Sequence, residues 1–173
     1  MLKLKTVTMR NFLSVGNAPQ TVDLSRQGLS LVLGENLDLG GNGSRNGVGK
    51  STLLAAISYA LYGQALTNIR VNNLVNHING KNMEVAIDFE VSGHAYRIER
   101  GRKPNFFRYI VDDKSVSNST TDDAQGENRE TQAEIERLLA QSPAMFRQIV
   151  ALNTYTEPFL SMGGGKQREI IEE

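Results

Sequence analysis

Apolar and polar positions alternate over residues 2–9, with Leu2, Leu4, Thr6 and Thr8 against Lys3, Lys5, Val7 and Met9. That period of two predicts a β-strand. A turn over 11–16 and a second short strand over 20–24 follow. Gln27-Gly28 then turns the chain into the apolar run 29–33, which predicts a strand buried on both faces. Residues 50–62 carry apolar side chains around nearly the whole circumference of a helix. They predict a deeply packed helix that stops at Gly63.

Farther on, 83–89 and 94–99 flank Ser92-Gly93, while 106–111 and 114–116 flank Asp112-Asp113. Both pairs predict β-hairpins. Residues 117–128 are polar without periodicity and predict a surface loop. Ala133, Ile135, Leu138 and Leu139 have helical spacing within 130–140. Ser142 followed by Pro143 reads as an N-cap with proline at the first helical position, opening a short helix to about residue 148. A further buried strand is expected over 149–152. After Gly163-Gly164-Gly165 a final helix is still running at Glu173, which reads as a chain that continues. The fold class is α/β: a central sheet around a glycine-rich loop, an antiparallel β subdomain and flanking helices.

The 173 residues suit one domain or part of a larger one. No apolar run approaches a membrane span, and the first residues lack the apolar core of a signal peptide. There are no cysteines, so neither a disulfide framework nor a thiolate metal site is available. A soluble, cytoplasmic protein with no membrane partner is expected. Net charge is zero, but residues 1–80 hold seven Lys/Arg against three Asp/Glu, and the rest twelve against sixteen. That balance alone does not mark a nucleic-acid binder.

The chemistry concentrates in Asn46-Gly47-Val48-Gly49-Lys50-Ser51-Thr52, set between the apolar run and the apolar helix. Strand, glycine-rich loop ending in Gly-Lys-Ser, then helix is the setting of a phosphate-binding P-loop. Glycines let successive N–H groups face the phosphates, and the helix N-terminus adds its positive end. Lys50 can reach the β- and γ-phosphates, and the Ser51 hydroxyl can ligate Mg²⁺. Ser44 stands where the usual pattern has its first glycine. The strand exit may then be read at Gly34-Glu35-Asn36, with 37–45 as an inserted loop.

Several further segments occur in order: Arg10-Asn11-Phe12-Leu13-Ser14, then 47–52 with Tyr59-Ala60-Leu61-Tyr62-Gly63, then Arg100-Gly101-Arg102-Lys103-Pro104-Asn105. Phe146-Arg147-Gln148-Ile149-Val150 and Pro158-Phe159-Leu160 before a basic helix complete the set. Together they resemble the N-terminal part of SMC-like ABC ATPases, the ATPase subunits of double-strand-break-repair nuclease complexes, those of bacteriophage recombination endonucleases included. The resemblance covers essentially the whole chain. It implies a P-loop NTPase of ABC-head type, with its N-terminal lobe in 1–160 and the start of a coiled-coil helix in 161–173. It implies ATP and Mg²⁺ as ligands, and Mg-dependent ATP hydrolysis that regulates DNA end processing. The implied partners are a metal-dependent nuclease subunit, DNA, and a second copy across an ATP sandwich of two heads. Arg10 and Asn11 should then lie near the nucleotide with the residues 46–52, and Asn153 falls where the family has a Mg²⁺-sensing glutamine. Leu13 stands where the family often has arginine. No apolar run ends in the Asp-Glu pair of a Walker B motif, and the signature motif is missing. The stretch 160–167 imitates a signature but follows too soon after 149–152. The alternative reading is an SMC-type DNA-tethering ATPase without a nuclease; a transporter ATPase would need a helical subdomain that is not visible.

Other clusters have plainer readings. Arg97, Arg100, Arg102, Lys103 and Arg108 alternate with Tyr96, Phe106 and Phe107, which could face DNA. A solvated hairpin whose aromatics pack inward explains them better. His77 and His94 lack ligand-spaced neighbours, and Asp112, Asp113, Asp122 and Asp123 read as solvated loop carboxylates.

Overall fold

The computed structural model describes residues 2–26, 28–36, 48–67, 69–120, 125–151 and 157–172. Six strands, β1 (Leu2–Arg10), β2 (Gln20–Asp23), β3 (Met83–Val91), β4 (His94–Arg102), β5 (Phe106–Val111) and β6 (Lys114–Ser119), form an antiparallel sheet in the order β2-β1-β3-β4-β5-β6. Both hairpins expected from the sequence are present. Ser92 and Gly93 take φ 52° and 88°, and Asp112 and Asp113 take 47° and 62°. Two successive positive φ values match the right-handed twist of the flanking strands.

Alternation gives the sheet two unlike faces. On one, Val7 sits opposite Ile87, Ile87 opposite Ile98 and Ile98 opposite Tyr109, all buried. Phe89, Tyr96 and Tyr109 stack there with centroids 5.3 and 6.2 Å apart. Helix α1 (Lys50–Tyr62) covers this face against β1, β3 and β4, and α2 (Gln125–Leu139) packs against β6 and α1. On the opposite face Arg97 bonds Asp88 and Glu99 at 2.7 Å, and Arg108 reaches Glu99 at 3.1 Å.

Helix α1 is buried over Ala56, Ile57, Ser58, Tyr59, Ala60, Leu61 and Tyr62, as its all-round apolar sequence requires. Its C-terminal carbonyls would be orphaned inside the core. Two side chains from other elements take them up. Arg100 of β4 donates Nε to the Ala60 carbonyl at 2.8 Å, and Gln132 of α2 donates to that of Leu61 at 3.3 Å. Arg100 also donates to Gln132 Oε1, and Gln132 Nε2 donates to Glu136 at 2.8 Å. Its guanidinium lies 4.0 Å from the Phe107 ring centroid. Burial pulls the guanidinium down to about 10, yet a cation at a helix C-terminus meets the negative end of the helix dipole.

The structure corrects several expectations. Residues 29–33 form no strand and pair with nothing among the described residues; Leu29, Leu31 and Leu33 are 104%, 81% and 65% exposed. A strand buried on both faces needs neighbours on both sides and layers above and below, and none of the described elements supplies them. Of the strand expected over 149–152, residue 152 lies outside the described residues and 149–151 form none: α3 (Pro143–Met145) widens into a π turn over Phe146–Val150, with Ile149 and Val150 exposed. Helical geometry persists there because the Ser142 hydroxyl caps Met145 N–H at 3.1 Å and Phe146 is anchored on the Tyr62 ring at 5.3 Å. The stretch 117–128 is not all loop, since β6 runs to Ser119 and α2 begins at Gln125. Ser117 and Ser119 read as polar yet sit inward, opposite Tyr109 and Phe107. The final helix α4 (Gly164–Glu172) takes two of the three glycines into its first turn. Among the described residues no helix is long and apolar enough to cross a membrane.

Replacing Arg100 by Leu should lower stability by about 3 kcal/mol, the weight of charge-assisted bonds whose buried acceptors are left unmet, read as a fall in the urea midpoint. Glu99 yields a pH prediction. Burial alone raises its carboxyl, but the bonds from Arg97 and Arg108 prevail and hold it below the ordinary 4.5. In that window the folded chain binds fewer protons than the unfolded one. The stability Glu99 contributes is therefore present above about pH 4.5 and lost as pH falls through the folded value. Glu99→Gln should flatten the acid limb of a midpoint-versus-pH curve.

Candidate functional site

The phosphate-loop residues within the described chain, Val48, Gly49, Lys50, Ser51 and Thr52, line one open cleft of about 790 Å³. Its other wall is Leu13 and Ser14, from the turn after β1, and Asn73, Val75 and His77, from and just after a 3₁₀ turn (Val71–Leu74). Asn46, Gly47 and Asn153 lie outside the described residues.

Gly49 shapes the loop. It is the N-cap of α1 at φ 87°, and its carbonyl accepts from Thr52 N–H at 3.0 Å. A Cβ there would stand 2.8 Å from Ser14 Oγ, so both conformation and space demand glycine. The Ser14 hydroxyl in turn shares a 2.9 Å bond with Thr52 Oγ1. Gly34 is tighter still, with its would-be Cβ 1.9 Å from Val48 Cγ2. Gly34 thus packs against the loop at Val48, but it is not the exit of a strand, since 29–33 form none. No side chain caps the α1 N-terminus, and its first turn holds no acid. A helix start with its N–H groups uncommitted to side chains, bordered by a lysine, accommodates an anion. Phosphate and a Ser51-held cation fit this donor set.

The opposite wall is held by a cluster of asparagines. Asn76, 7% exposed, donates Nδ2 to the Leu13 carbonyl at 2.9 Å and accepts at Oδ1 from the N–H groups of Ile78 and Asn79. Its own N–H bonds the Asn11 carbonyl at 2.7 Å, and a Phe12–Val75 bridge runs alongside. The Asn11 side chain, 1% exposed, is bonded to Asn79, to Asn17 and to the Asn82 carbonyl. Arg10 bonds Asn17. Neither residue lines the cleft. Asn11 instead braces the turn that presents Leu13 and Ser14. Ser14, Asn73, Val75 and His77 are the lining residues that sequence reasoning did not single out. Only Ser14 carried a signal, its place in the Phe-Leu-Ser turn.

The basic hairpin cluster divides by parity. Arg97 and Arg108 point to the solvent face and pair with carboxylates, whereas Arg100 and Phe107 point into the core. His94 lies against Asp112 at 2.7 Å at the surface.

The family model for an AAA domain matches residues 6–169. The chain belongs to the AAA-domain family. This AAA domain is 33% identical over 173 residues to exonuclease subunit 2 of Escherichia phage RB69 and 34% identical to that of Enterobacteria phage T4. Each alignment covers 99% of the chain and 28% of the relative, so the chain spans little more than a quarter of their length. A DNA double-strand break repair Rad50 ATPase of Methanococcus maripaludis is 29% identical over 115 residues, 66% of this chain and 10% of that one. A solved structure from work on ATP-driven dimerization and DNA-stimulated activation of SMC ATPases superimposes at TM-score 0.61 and 19% identity, covering 98% of both chains. The AAA domain therefore has the fold of an SMC-type P-loop ATPase lobe, and the resemblance read from its motifs holds.

Gly49→Ala should cost about 1–3 kcal/mol through the positive φ and the Ser14 contact. Chemical denaturation measures it, and Ser14→Ala in the same chain should recover the steric share.

Proposed function

We propose that this chain is the ATP-binding lobe of a DNA repair and recombination ATPase that regulates a partner nuclease acting on DNA ends. The observation that carries the reading is the uncapped, acid-free start of α1 behind Gly49, with Lys50 and Ser51 on the same cleft. The kinship with phage exonuclease subunit 2 and the double-strand-break-repair ATPases supports the nuclease and DNA. In this reading residues 1–160 form the lobe, 161–173 lead towards a coiled coil, and two lobes face each other across ATP.

Lys50 and the first N–H groups of α1 hold the terminal phosphates and offset the charge that builds on their oxygens as water attacks the γ-phosphorus in line and the bond to ADP breaks. The Ser51 hydroxyl would hold Mg²⁺, which would supply positive charge beside the same oxygens. Ser14 and Thr52, bonded to each other, keep the loop seated. No acidic side chain is among the described residues lining the cleft, so the group that activates water must come from another segment or chain. The chain by itself should therefore show negligible turnover. Clear Lys50-dependent phosphate release would refute that.

Lys50→Ala should weaken binding of a non-hydrolysable ATP analogue about 100-fold, the scale of one charge-assisted contact, with the circular dichroism spectrum unchanged. Calorimetry giving undiminished affinity would remove the site. Co-purification with a nuclease subunit separates this reading from that of a DNA-tethering ATPase.

A further inference from the structure

A second cavity, about 220 Å³, opens at the other end of α1, between Tyr59 and Gly63, the β4–β5 hairpin, Ser119 of β6 and Asn128 of α2. Several liquid waters would fit, at about 30 Å³ each. Two buried polar atoms on its lining, Ser119 Oγ and Asn128 Oδ1, have no hydrogen-bond partner. Ser119 is 4% exposed. Such orphans are uncommon in folded proteins and each calls for an occupant.

The rest of the lining says what that occupant is. Arg100 and Arg102 both border the cavity, and neither has a carboxylate at ion-pair distance among the described residues. Arg100 spends Nε on Ala60 and one amino group on Gln132, leaving Nη1 against Gly63, whose would-be Cβ lies 3.3 Å from it. Its nearest compensation is Glu136, one residue removed through Gln132. Arg102 bonds Asn105 and borders the cavity beside Tyr59, which uses part of its five-donor fork. Burial pushes the Tyr59 phenol up, so it remains a neutral hydroxyl. The Ser119 hydroxyl can donate, and the Asn128 carboxamide can present its NH₂ by a half-turn. Two guanidinium groups with hydroxyl and amide donors around one half-enclosed space repel cations and match an oxyanion.

We propose that this cavity binds a phosphate-type oxyanion, either free phosphate or a nucleic-acid phosphodiester, held by Arg100, Arg102, Ser119 and Asn128. The site is separate from the phosphate loop and independent of the function proposed above. It touches α1 at Tyr59 and borders its C-cap, Gly63.

The test is the thermal midpoint of the chain titrated with inorganic phosphate, and separately with a single-stranded oligonucleotide, against chloride at equal ionic strength. Wild type, Ser119→Ala, Arg102→Gln and Lys50→Ala are compared. The expected result is a phosphate-dependent rise that survives Lys50→Ala and whose half-saturation worsens at least about tenfold in Ser119→Ala and Arg102→Gln. Without anion, Ser119→Ala should unfold at the same midpoint as wild type or higher, since it removes an unmet buried hydroxyl. A rise with free phosphate identifies the free ion. A rise sensitive to Ser119 and Arg102 that appears only with the oligonucleotide identifies a phosphodiester. A response lost only in Lys50→Ala, equal in all variants, or absent with both probes overturns the proposal, the last leaving water as the occupant.

Discussion

The buried contact between Arg100 and the C-terminal end of α1 is the constraint on which the rest is arranged. A helix enclosed by a sheet on one side and α2 beside it cannot send its last carbonyls to water, and an apolar core offers them nothing. A guanidinium from β4 and an amide from α2 reach in to meet them, joining three elements at one point. With that end secured, the other can stay open. Gly49 begins the helix without a side-chain cap, and under the proposed function the positive end of the helix dipole faces phosphate there.

The same logic runs through the wall facing the loop. Asn76 spends its polar atoms on backbone groups of the turns that carry Ser14 and His77, and Asn11 spends its own on the Asn82 carbonyl and the side chains of Asn17 and Asn79. Such turns are irregular and have no ladder to hold them, so side-chain amides, each with two donors and an acceptor, replace it. The asparagines are positioning residues for a cleft they do not line.

Much of this was legible in the chain. The period-two alternation located β1, β3 and both hairpins, and the all-round apolar stretch ending at Gly63 located α1 with its boundaries. Gly49-Lys50-Ser51 marked the start of α1, where the cleft opens. The misreadings share a cause. Residues 29–33 and 149–151 lie in apolar runs whose state depends on what lies beside them, and local pattern cannot supply a neighbour. Ser117 and Ser119 look like loop residues because nothing in their composition says that they face Phe107 and Tyr109 across a ladder. The arginines of β4 and β5 look like one patch until parity is applied, which sends Arg97 out and Arg100 in.

The strand alternation of the hairpins and the periodicity and boundaries of α1 were thus decided by sequence, because each depends on residues within one turn or one strand of each other. Which side chains complete the cleft, where Arg100 spends its charge, and which polar atoms are left facing an enclosed space were decided by tertiary structure. Those outcomes pair residues separated by tens of positions, such as Ser14 with Thr52 and Arg100 with Ala60. Only the folded chain brings such groups within the few ångströms over which hydrogen bonds act.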